Sequence, residues 1–170
     1  MAVQGVLIAD ENVVTRKRMA ELFIKAGYQV TVSNSAAGAL YGILKKTAQV
    51  VLLSPKFDEL LATELIPILK QCDHNLSIIL VASELPLSLI RKARCEGIFY
   101  HALRTGQAGD EEELREAVRC AFEKIARQSE GLGRIFPKEW QKFLNDENAQ
   151  TMGNILAEEQ IRFHSKSDDE

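Results

Sequence analysis

Two adjacent carboxylates mark the first place in the chain where chemistry is possible. Val6, Leu7, Ile8 and Ala9 form a short apolar run that gives way at once to Asp10 and Glu11. Carboxylate oxygens suit a hard cation such as Mg²⁺, which takes oxygen ligands in near-octahedral geometry. A second apolar run, Val50, Val51, Leu52 and Leu53, ends in Ser54 and Pro55. A serine nucleophile needs a base and an oxyanion hole. No Gly-x-Ser-x-Gly elbow surrounds Ser54, and the sequence sets no His or Lys beside it, so no catalytic role is assigned. No Gly-x-Gly-x-x-Gly follows the first run, no Walker-type glycine loop follows any strand candidate, and no Asp-x-His-x-x-Gly signature occurs. His74 and His164 have no partners at metal-ligand spacing. No cofactor, no metal site and no enzymatic activity are expected.

Short β-type runs alternate with amphipathic helical stretches, which implies a parallel sheet covered on both faces. Strands are predicted near 5–10, 28–33, 48–54, 76–82 and 97–103. A first helix over about 14–26 sets Met19, Leu22, Phe23 and Ala26 on one side, with Gly27 as its stop. A second, about 35–46, presents Ala36, Leu40, Ile43 and Leu44 behind Asn34 or Ser35 as cap. A third, about 59–71, carries Leu60, Leu61, Leu65, Ile68 and Leu69. The fourth opens at Pro86, a residue suited to a first turn, and ends near Gly97. The fifth opens on Asp110, Glu111, Glu112 and Glu113, with Asp110 and Glu113 at capping-box spacing, and buries Leu114, Val118, Ala121, Phe122 and Ile125. Gly131 and Gly133 break it, so the expected domain spans 1–128, followed by a linker at 129–136. A helical extension over 137–164 and a disordered acidic tail at 165–170 complete the expected organisation.

Composition fits a globular chain of this length with one medium domain and an appendage: 170 residues, 46% hydrophobic and 26% charged. A net charge of −3 argues against a nucleic-acid binder built on a general basic field. Cys72, Cys95 and Cys120 lack both Cys-x-x-Cys and zinc-ribbon spacing and fall on helix candidates, where buried or half-buried free thiols are expected. The apolar run at 6–9 is too short for a signal peptide, and the region 76–90 is interrupted by Glu84 and Pro86, short of a membrane span. A cytoplasmic protein is expected.

The order of these elements, the acid pair after the first strand and the apolar third strand together resemble the receiver domains of response regulators. The resemblance covers about residues 4–127 and implies a flavodoxin-like, doubly wound α/β fold with five parallel strands. It also implies roles. Asp10 and Glu11 match the pair that holds a divalent cation in that family, and Ser54 stands where the phosphate-accepting aspartate belongs. Ala82 takes the place of a hydroxyl residue, His101 that of a mobile aromatic, and Arg104 that of a lysine. With two carboxylates in place of three, Mg²⁺ binding should be weak or absent, and an Arg104 guanidinium reaching Asp10 or Glu11 would replace it. The resemblance points to a degenerate receiver that signals through protein contacts without phosphorylation, in a bacterial regulatory pathway.

The expected contact surfaces are two. Arg91, Lys92 and Arg94 on the fourth helix lie near the acidic start of the fifth, a charge pairing suited to a homodimer. Phe136, Trp140, Phe143, Ile155 and Leu156 make an apolar face in the extension that needs a cover. Two rival functions remain. One is a flavodoxin-like small-molecule-binding protein or enzyme, and the other is a nucleic-acid-binding regulator using the extension, which has few basic residues and no helix-turn-helix pattern.

Overall fold

A computed structural model describes residues 3–103 and 108–135, with residues 108 and 131–135 described by their backbone alone. The chain divides into two compact units, Met1–Ile125 and Ala126–Glu170. In the first, strands β1 (Gly5–Ala9), β2 (Gln29–Ser33), β3 (Val50–Leu53), β6 (Ser77–Ala82) and β7 (Tyr100–Leu103) form one parallel sheet in the order β2-β1-β3-β6-β7. Helices α1 (Val13–Lys25), α2 (Ala36–Leu44), α3 (Ala62–Cys72), α4 (Leu87–Cys95) and α5 (Ala108–Ile135) connect or follow them.

Strands β1, β3 and β6 are buried along their whole length, as strands covered on both faces must be. Alternate residues serve opposite layers. Leu7, Ala9, Val51 and Leu53 pack with Ala39 and Ile43 of α2, Leu65, Ile66 and Leu69 of α3, and Ala93 of α4. Val6, Ile8, Val50 and Leu52 pack with Met19, Leu22 and Phe23 of α1 and Leu114, Val118, Ala121 and Phe122 of α5. Gly5 is required at its position, because a Cβ there would lie 1.9 Å from the Thr47 carbonyl oxygen. Gly27 and Gly97, with φ of +90° and +95°, follow the ends of α1 and α4 in the left-handed region where glycine is favoured.

Several expectations change. Leu44 and Ile68 are exposed, and Ala26 is the exposed C-cap of α1, because the buried stripes centre on Ala39 and Ile43 in α2 and on Leu65, Ile66 and Leu69 in α3. Leu60 and Leu61 belong to a small antiparallel hairpin, β4 (Lys56–Phe57) with β5 (Leu60–Leu61), rather than to the third helix. Pro86 is the N-cap of α4, and Ser35 that of α2. Cys72 and Cys95, each the last residue of its helix, are exposed. Helix α5 starts at Ala108, so Asp110 lies inside its first turn and does not cap it. It also runs past Gln128 to Ile135, through Gly131 and Gly133 and most of the expected linker. A helix-interior glycine costs about 1 kcal/mol relative to alanine, and the residues around the two glycines, Ala126, Arg127, Gln128, Glu130 and Leu132, are good helix formers. The rest of the expected extension and the acidic tail lie outside the described residues.

The hairpin turns through Asp58 and Glu59 with φ of +54° and +64°. Positive φ at both central residues is the type I′ pattern, which favours Asp-Gly and penalises a bulky second residue. Glu59→Gly is therefore expected to raise stability by about 0.5–1 kcal/mol in urea unfolding. The exposed Lys56–Glu59 ion pair it removes contributes little. A loss of stability would contradict this reading of the turn.

Candidate functional site

The parallel register brings the ends of β1 and β3 side by side: Ala9 pairs with Leu53, and the Ser54 N–H donates to the Ala9 carbonyl at 3.1 Å. Asp10 and Ser54 therefore emerge together at the carboxyl edge of the sheet, where the strand order reverses. Both are buried, at 3% and 6% exposure. Ala82 ends β6 opposite Leu103, one strand further along. His101 pairs with Leu80, nearer the middle of β7; it is half-buried, and its Nε2 has no hydrogen-bond partner. Arg104 lies outside the described residues.

Each polar group at this edge is turned towards the chain itself. The Asp10 carboxylate accepts the Asn12 N–H at 2.8 Å, and Asn12 in turn caps α1 by accepting from the Val14 and Thr15 N–H groups. Arg16 donates to the Asp10 carbonyl at 2.6 Å and to the Glu11 carbonyl at 3.5 Å. The Glu11 carboxylate reaches across to the hairpin and accepts the Asp58 N–H at 2.6 Å. Asp58 passes the link on, its own carboxylate accepting the Ala36 N–H at the start of α2 at 2.8 Å. The Ser54 hydroxyl donates to the Lys56 carbonyl at 2.7 Å. Leu61 N–H meets the Glu64 carboxylate at 2.9 Å, so the far end of the hairpin is fixed to α3.

These contacts bear on the fit of a cation. An Mg²⁺ site of the receiver type needs converging anionic oxygens. Here one Asp10 oxygen and one Glu11 oxygen are engaged by backbone N–H groups, and Ser54 is a hydroxyl already committed as a donor. Among the described residues no group of three or more His, Cys, Asp or Glu could hold a metal ion. Two carboxylates and a hydroxyl supply fewer anionic oxygens than three carboxylates would.

Sequence reasoning placed Asp10, Glu11, Ser54 and Ala82 at one sheet edge, and it missed Asn12, Arg16 and Asp58. Asn12 carried a signal, being a favoured cap residue directly before a helix. Asp58 carried a weaker one, in the two-residue Asp-Glu spacing between Phe57 and Leu60.

Arg91, Lys92 and Arg94 are exposed on α4. The acids of α5 that were set against it have partners within the chain. Glu111 pairs with Arg18 of α1 at 2.5 Å and Glu112 with Arg115 at 3.6 Å. The Tyr100 hydroxyl donates to Glu113 at 3.0 Å, and that bond, ahead of burial, raises the phenol above its ordinary pKa. Phe136, Trp140, Phe143, Ile155 and Leu156 lie outside the described residues. No helix among the described residues is long and apolar enough to cross a membrane.

The sheet order and the helix layers are those of response-regulator receiver domains, and solved structures agree. A CheY-like receiver domain from Methanospirillum hungatei JF-1 superposes with a TM-score of 0.68 at 16% identity, over 75% of this chain and 99% of that one. The receiver domain of an HD domain-containing protein from Pseudomonas fluorescens Pf-5 gives 0.69 at 22% identity, over 76% and 94%. In sequence, the chain is 27% identical over 116 residues to sporulation initiation phosphotransferase F of Bacillus subtilis, covering 68% of this chain and 91% of that protein. No family model matches the chain. The fold is thus the CheY-like receiver fold, flavodoxin-type α/β, with a C-terminal helix.

Removing the Glu11 carboxylate would leave the Asp58 N–H to water and loosen the turn. Glu11→Ala should cost about 0.5–1 kcal/mol, an exposed charge-assisted bond being worth that order. It should also speed amide hydrogen exchange at Asp58 and Ala36. Unchanged exchange at both amides would remove Glu11 from this network.

Proposed function

We propose that this chain is a degenerate receiver in a two-component pathway, acting through protein contacts without phosphorylation. The observation that carries the reading is Ser54: the residue directly after β3 is a buried hydroxyl that donates to the Lys56 carbonyl. A receiver acceptor is a carboxylate beside a bound cation, and a hydroxyl without a base is a poor acceptor from phosphohistidine. The neighbouring acids support the same reading, because their bonds to Asn12 and Asp58 hold the edge loops in one arrangement. Ala82 at the end of β6 offers no hydroxyl to sense an incoming phosphoryl group. A homodimer or a heterologous protein is the proposed partner, met through the exposed cations of α4 or through the chain beyond residue 135. The similarity to sporulation initiation phosphotransferase F supports a role in signalling and transfers no activity to the chain.

Restoring the carboxylate tests the assignment. Ser54→Asp should bind Mg²⁺ measurably tighter than the unaltered chain, since three anionic groups would again converge. Beryllofluoride with Mg²⁺ should leave the amide NMR spectrum of the unaltered chain unchanged. Strong Mg²⁺ binding by the unaltered chain, equal to that of the variant, would show that Ser54 is not at the acceptor position.

A further inference from the structure

Helix α2 differs from the other described helices in carrying no charged residue along its length. It buries Ala39, Gly42 and Ile43 beneath it. A surface helix ordinarily turns charged or polar side chains outward, and a helix that is apolar on every side is one that is covered on every side. The outward side of α2 is Ala37, Gly38, Tyr41 and Leu44, with Tyr41 and Leu44 each 64% exposed. Helix α3, packed beside it in the same layer, adds the exposed Ile68.

The charges stand at the two ends of this face and differ in sign. At the start of α2 the Asp58 carboxylate accepts the Ala36 N–H at 2.8 Å. Glu11, bonded to the Asp58 N–H, and Glu59, paired with Lys56, lie next to it in the same hairpin turn. At the far end Lys45 and Lys46 are exposed, and the Lys45 ammonium lies 5.5 Å from the centre of the Tyr41 ring. We propose that this face pairs with the same face of a second copy of the chain, α2 against α2 and antiparallel, about a two-fold axis at Tyr41. In such an isologous contact, residues equally spaced on either side of Tyr41 stand opposite one another. Leu44 of one copy then covers Gly38 of the other, where no side chain stands, and Lys45 and Lys46 come to the Asp58 end of the facing helix. A parallel arrangement would set like charges together, and an anionic surface would meet the Asp58 end with the wrong sign. The order of charges therefore fits a second copy. The inference does not depend on whether Ser54 can be phosphorylated, and it leaves the α4 cations exposed for another protein.

Sedimentation velocity of the full chain over a wide range of concentration tests this, with a reversible monomer–dimer equilibrium expected. Tyr41→Glu sets two carboxylates face to face on the axis and should weaken the dimer about tenfold or more, as removal of a central aromatic contact implies. Because Tyr41 is exposed, the circular-dichroism melt of the dilute variant should match that of the unaltered chain, which separates a lost interface from a lost fold. The pair Lys45→Glu, Lys46→Glu should also weaken the dimer, and added salt should weaken that of the unaltered chain. On dilution, amide shifts should fall on residues 37–46 and on Asp58 and Glu59. A chain that stays monomeric, a dimer unmoved by Tyr41→Glu, or dilution shifts confined to other helices would each overturn the proposal.

Discussion

The pairing of β1 with β3 is the constraint on which the rest of the first unit depends. Both strands are buried on both faces, so a register slip of one residue would exchange the two side-chain layers and clash with every helix. The pairing is fixed at both ends. At the start, Gly5 lets the Thr47 carbonyl approach to where any side chain would stand, and at the finish the Ser54 N–H closes on the Ala9 carbonyl. Asp10 and Ser54 are neighbours for this reason, whatever use the protein makes of them.

The edge that follows is built from bonds to backbone. Glu11, Asp58, Ser54 and Asn12 each satisfy a peptide N–H or carbonyl that a loop would otherwise leave to water. Each such bond contributes about 1 kcal/mol, but together they tie α1, the hairpin, α2 and β3 into one unit. A switch needs an edge with two arrangements of comparable energy. On the proposed reading, an edge whose acids already hold backbone donors and whose serine already holds an acceptor favours one.

Period and type of residue made most of the fold legible. Runs such as Val50 to Leu53 are too apolar and too short to be anything but doubly covered strands, and Met19, Leu22 and Phe23 mark the inner side of α1 at helical spacing. The hairpin at Lys56–Phe57 and Leu60–Leu61 was not legible, because two-residue strands have no period. Leu60 and Leu61 fell into the helix pattern that follows them. The length of α5 was obscured by Gly131 and Gly133, which read as helix breaks although the helix runs through them to Ile135. At the site, strand ends announced Asp10, Glu11 and Ser54, whereas their partners are backbone groups 2–47 residues away and leave no mark in the sequence.

Intact mass of the full chain after incubation with acetyl phosphate and Mg²⁺ tests the degenerate-receiver reading most directly. The mass should remain that of the unmodified protein, under conditions in which a phosphorylatable receiver included as a control gains one phosphoryl group. A stoichiometric phosphoryl adduct mapped to Ser54 or to Asp10 would contradict it.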